Sequence, residues 1–130
     1  MSNSFISRKS TLRLVDSITE LGAKDAGCLA VSGSHGGISS ARFALVVRPL
    51  ISVFNDAGIG PDQAGLAALP FLQSHGLAAC TVGYMSARIG EANSTFADGL
   101  ISHSNALAVA LGAEQGKSCR EVMDKLGVSQ

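Results

Sequence analysis

Cys28-Leu29-Ala30-Val31-Ser32-Gly33-Ser34-His35-Gly36-Gly37 is the stretch on which the fold turns. The run Cys28–Val31 has no polar alternation, the pattern of a short strand covered on both faces, so a strand is expected over Gly27–Ser32. The residues after it are glycines, hydroxyls and an imidazole. Glycine lets backbone approach a neighbour closely, and in left-handed conformation it can aim successive N–H groups at an anion. The strand is therefore expected to open into an anion-holding loop. A tight turn whose glycines serve packing alone is the competing reading.

Two more transitions of this kind follow. Pro49–Phe54 reads as a strand opening into Asn55-Asp56-Ala57-Gly58, and Leu77–Val82 as a strand opening into a loop over Gly83–Asn93. Between the first two strands, Ile38–Val47 reads as a helix with Ala41, Leu45 and Phe43 turned inward. A second helix starts at Gly60-Pro61-Asp62, bends at Pro70, and ends at Ser74 before the stop residue Gly76. Upstream, Thr11–Ile18 alternates well enough for a half-buried strand. Downstream, Ser102–Leu111 reads as a helix capped by Ser102, and Ser118-Cys119-Arg120-Glu121 as the capping box of a last helix ending near Leu126-Gly127.

Alternating strands and helices of crossover length indicate βαβ units. The expected fold is a small three-layer α/β domain with a mostly parallel sheet. It resembles Rossmann-like or flavodoxin-like domains in architecture, with the first strand either parallel or an antiparallel edge. Residues 1–10 are expected to form a flexible N-terminal tail, including the short basic run Ser7-Arg8-Lys9-Ser10, and residues 11–130 a single domain.

Composition narrows the function. Of 130 residues, 46% are apolar and only 15% are charged, against about 25% in an average domain. So little charge implies a sheet covered on both faces and a surface shared with another subunit, and a homo-oligomer is expected. Net charge is zero and aromatic residues are 5%, which removes the electrostatic term that nucleic acid binding requires. No apolar run approaches a membrane span and no signal peptide is recognisable, so neither membrane nor export is expected. The odd set Cys28, Cys80 and Cys119, without CxxC spacing, reads as buried reduced thiols of a cytoplasmic protein.

In a parallel sheet the three polar loops gather at one edge, where ligands bind. Ser34, Gly36 and Gly37 would hold an anion through backbone N–H groups. His35 and Asp56 would move a proton, with Asn55 beside them, and Ser86 would join them in catalysis. Arg88 suits bidentate binding of a carboxylate or phosphate, or a structural ion pair with Asp56 or Glu91. His103 would face the same loops from the start of its helix, or belong to a surface capping cluster. His75, at a helix end, reads as structural.

His35-Gly36-Gly37 resembles the oxyanion loop of lipase-type esterases over three residues, but no Ser–Asp–His order completes it. Walker and dinucleotide fingerprints are absent, and no HxH or HExxH spacing suggests a metal, so no cofactor is expected. The expected function is a small enzyme of hydrolase or lyase/isomerase type acting on a small anionic metabolite. The alternative is a non-catalytic anion-binding or assembly module.

Overall fold

A computed structural model describes residues 10–127. Strand β1 (Leu12–Val15) is followed by 3-10 turns at Ile18–Glu20 and Ala23–Asp25. Then come β2 (Leu29–His35), α1 (Ile38–Val47) and β3 (Ile51–Asn55). A 3-10 segment at Pro61–Leu66 leads into α2 (Ala68–Ser74), and β4 (Ala78–Val82) follows. The chain continues through α3 (Ala92–Asp98), β5 (Ile101–Ser104), α4 (Ala106–Ala110) and α5 (Cys119–Gly127). Residues 7–9 of the basic run and most of the expected tail lie outside the described residues.

The five strands lie side by side in chain order, β1 to β5. β1 to β4 are parallel and β5 is antiparallel to β4. The result is a single mostly parallel α/β domain of the small Rossmann-like or flavodoxin-like kind. The first strand is thus a parallel edge; the antiparallel edge is the last strand.

Helices α1 and α2, with the first 3-10 turn, cover one face through Ile18, Leu21, Ala41, Ala44, Leu69 and Leu72. Phe54 of β3 fills the middle of that layer. The opposite face carries α3, α4 and α5, packed through Ala108, Val122 and Met123 on Leu29, Val31, Val53 and Val82. β3 and β4 are buried at every position, which explains their largely apolar sequence. No described helix is long and apolar enough to cross a membrane.

Four local expectations change. β2 runs on to His35, past Ser32, because its second half still finds partners: Gly33 donates to the Asp16 carbonyl at 3.1 Å, and His35 pairs with Asn55 after a shift in register. The Ser32 hydroxyl donates to the Val53 carbonyl at 2.9 Å within that irregularity. The helix expected from Pro61 to Ser74 divides, because Asp62 and Gln63 take left-handed φ values of 54° and 57°; α2 begins only at Ala68, with Pro70 in its first turn. Ala92–Asp98, which takes in the end of the expected Gly83–Asn93 loop and residues with no expected element, is α3. Ser102 begins no helix: Ile101–Ser104 is strand β5, and the helix cap is Asn105.

Asn105 explains that last correction. Its side-chain oxygen accepts from Ala108 N–H at 3.0 Å and from Ala79 N–H at 3.1 Å. Its amide donates to the Leu69 and Leu77 carbonyls at 3.2 and 3.0 Å. One buried amide therefore caps α4 and ties it to β4 and to both ends of the α2 connection. Asn105→Ala would leave several buried backbone groups unpaired. It should lower stability by about 3 kcal/mol, read as a shift in the urea midpoint.

All three thiols are buried and free. Burial pushes the Cys28 thiol up to about 11 and Cys119 up to about 12, and raises Cys80 as well. A raised value in the folded state favours the neutral thiol. Its contribution is therefore complete below the unfolded value of about 8.5, and is lost as pH climbs toward the folded ones. At pH 8 the native protein should react slowly with a thiol-disulfide reagent and rapidly once unfolded, and its stability should decline from about pH 9 upward.

Candidate functional site

The parallel strands bring the three loops to one edge of the sheet, and hydrogen bonds bind them to each other. Gly36 N–H donates to the Asn55 carbonyl at 2.9 Å, Asp56 N–H to the Val82 carbonyl at 3.0 Å, and Gly90 N–H to the Gly33 carbonyl at 2.7 Å. The buried Asn55 side chain donates to the Ala87 carbonyl at 3.0 Å and accepts from Ala57 N–H at 2.8 Å.

The glycines after β2 are there for closeness. Gly33, Gly36 and Gly37 are all absent from the residues with left-handed backbone, so the expected anion nest does not form among them. A Cβ on Gly33 would strike the backbone of Gly90 and Glu91, and one on Gly36 would strike the Gly65 carbonyl oxygen. A Cβ on Gly37 would meet the His35 ring, a side chain that can swing away. Left-handed backbone is found instead after β3, at Ala57, Gly58, Ile59, Gly60, Asp62 and Gln63. For the β-branched Ile59, with φ 71°, that conformation is strained.

Most of the polar side chains named from the sequence are engaged within the protein. The Ser34 hydroxyl accepts from Ile18 N–H at 2.9 Å. Asp56 is buried, and one carboxylate oxygen accepts from Gly58 N–H at 2.9 Å and Tyr84 N–H at 3.1 Å. The Ser86 hydroxyl donates to the Gly83 carbonyl at 2.7 Å and accepts from Leu100 N–H at 3.0 Å. Arg88 is 72% exposed and pairs with Glu91 at 3.0 Å.

His35 is different. Its Nδ1 accepts from Gly37 N–H at 3.0 Å, which assigns the ring proton to Nε2 in the neutral form. His35 is exposed and lines a cleft of about 420 Å³. That cleft runs between the start of α1 and the left-handed loop, with Ile38, Ser39, Ile59 and Ala64 in its walls. No side chain caps α1 at Gly37, so first-turn N–H groups lie along it.

A second cleft of about 460 Å³ lies across Ala57, lined by Tyr84, Arg88 and Ile89. His103 joins neither; it sits on β5 in a separate cavity with Asp62. The structure therefore gathers His35, Gly36, Gly37, Asn55, Asp56, Ser86 and Arg88 at one edge, but separates His35 and Arg88 into neighbouring clefts and sets His103 apart. Ile38, Ile59 and Tyr84 line these clefts without having been singled out from the sequence, since an apolar residue in a loop gives no signal of its own. Among the described residues no group of three or more His, Cys, Asp or Glu side chains could hold a metal ion.

The two glycines of the β2–α1 turn should respond differently to substitution. Gly36→Ala forces backbone apart and should cost about 2 kcal/mol. Gly37→Ala should cost much less and move His35, visible as a changed ring 15N spectrum with a nearly unchanged denaturation midpoint.

No family model, no curated protein and no solved structure matches the chain.

Proposed function

We propose that the domain binds a small anionic metabolite in the cleft between the β2–α1 turn and the loop after β3. The carrying observation is His35, which lines a cleft bordered by the uncapped start of α1 and whose Nε2–H is assigned as the ring donor by the Gly37–Nδ1 bond. The imidazole would donate to a carboxylate or phosphate oxygen, and the helix dipole would add about 0.3–1 kcal/mol. The apolar walls would take a compact carbon body.

Binding is better supported than turnover. Asp56 and Ser86 are engaged with loop backbone, and Arg88 is paired with Glu91. Hydrolase or lyase/isomerase chemistry is the second reading, favoured by one observation: the strained Ile59 backbone lines the same cleft. In it the neutral His35 ring acts as an electrophile, its Nε2–H donating a hydrogen bond to the oxygen on which negative charge develops.

Association with a second copy is the partner reading we retain. It is supported by the exposed Tyr84, Met85 and Ile89 at the same edge. The three buried free thiols support a reducing, cytoplasmic setting.

Titration with inorganic phosphate and with malate, followed by 15N-edited NMR, tests the binding. The amides of Gly37, Ile38 and Ser39 and the His35 ring should shift together, and His35→Ala should weaken binding roughly tenfold. Shifts confined to other residues, or unchanged affinity in His35→Ala, would refute the assignment.

A further inference from the structure

The loop over residues 84–91 turns large apolar side chains toward solvent. Tyr84, Met85 and Ile89 are exposed, Met85 by 84%. Leu100 is exposed beside them, its N–H bound to the Ser86 hydroxyl. Tyr84 and Ile89 also line the cleft of about 460 Å³ that runs across Ala57. Apolar side chains gathered in this way on a folded domain mark an interaction surface. Tyrosine, methionine and arginine are the residues enriched in such surfaces.

The loop is held in shape from beneath. Tyr84 N–H donates to the Asp56 carboxylate at 3.1 Å, and the Ala87 carbonyl accepts from the Asn55 amide at 3.0 Å. Arg88 N–H donates to the Ser94 hydroxyl at 2.9 Å. A surface already ordered loses little freedom when it associates.

Its charges say what covers it. Arg88 and Glu91 stand on the rim of the same cleft, both exposed, and pair with each other at 3.0 Å. An apolar surface with one cation and one anion fits a partner carrying the same two charges in reverse order. A twofold axis supplies that partner from a second copy, because it sets each Arg88 against the Glu91 of the other copy. A partner of one sign would meet a like charge instead. The charged fraction of only 15% accords with a surface shared between copies.

We propose that this loop is a homodimer interface. Two copies pair about a twofold axis, with Arg88 of each facing Glu91 of the other and Met85 of each seated in the other's cleft beside Tyr84 and Ile89. This rests on a second copy being the domain's partner, and adds the surface and the pairing of charges through which it docks.

Sedimentation equilibrium of the full chain at about 0.3 mM should show a dimer, as a small interface of micromolar affinity requires. Arg88→Glu sets like charges against each other across the axis, and so does Glu91→Arg. Each variant alone should associate about tenfold more weakly. Mixed in equal amounts they should pair again, because the mixed dimer has opposite charges at both contacts. An ion pair confined to one chain would not respond to mixing. Met85→Glu should abolish the dimer. Val46→Glu should leave it intact, since Val46 is as exposed, at 81%, but lies at the far end of α1. A monomer at every concentration overturns both the second-copy reading and this interface, and makes a different protein the occupant. A dimer that ignores the charge reversals, or that Val46→Glu breaks as Met85→Glu does, keeps the second copy as partner and overturns this interface alone.

Discussion

Asn55 holds the carboxyl edge of the sheet together. Its backbone carbonyl receives Gly36 from the β2–α1 turn, its side-chain oxygen receives Ala57 from its own loop, and its amide reaches Ala87 in the loop after β4. Three segments distant in sequence meet on one fully buried residue. Burial makes each bond consequential, because a missing partner there cannot be replaced by bulk water. Close backbone approach follows from the same arrangement. Gly36 must be bare for Gly65 to lie against it, and Gly65 must be bare to lie against the Asp56 carbonyl. The left-handed stretch after β3 is the path that the chain takes to meet these contacts.

Much of this architecture is legible in the sequence. Short, largely apolar runs locate β2, β3 and β4, and Ile38–Val47 coincides with α1. The Ser118 hydroxyl caps α5 through Glu121 N–H at 3.1 Å, as the Ser-x-x-Glu pattern implies. β5 is harder to read. Ile101-Ser102-His103-Ser104 is too short to show a period, and the Ala-Leu run after it is strongly helical, so the helix is drawn backward over the strand. Only the tertiary bonds of Asn105 mark where one ends and the other starts. α3 escapes because Asn93, Ser94 and Thr95 are weak helix formers; it is held by packing on β1, β2 and α5.

The candidate site is less legible, for a definite reason. A glycine in sequence signals either left-handed backbone or close approach, and the letter is the same for both. The glycines of 33–37 serve the second purpose, while the left-handed positions include Ala57, Ile59, Asp62 and Gln63, none of which advertises it. Polar loop residues are ambiguous in the same way. Asp56 and Ser86 have the chemistry of an active site, yet their hydrogen bonds go to backbone within the loops. Sequence reports the donor or acceptor and not whether a neighbour already occupies it.

Strand order explains where clefts remain. With β1 to β4 sequential, the connections through α1 and α2 lie on the same face, and strand order never reverses among them. The crevice that a reversal opens in doubly wound sheets is therefore missing from the middle of this one. Space opens instead on either side of the segment that joins β3 to α2. One side faces α1 and carries His35; the other faces β5 and carries His103. Ala67 lines both clefts. A regular helix from Pro61 onward would have packed against the sheet like α1. The left-handed backbone at Asp62 and Gln63 prevents that and leaves a ridge between two clefts, each with an imidazole that has not used all of its hydrogen-bonding capacity within the fold.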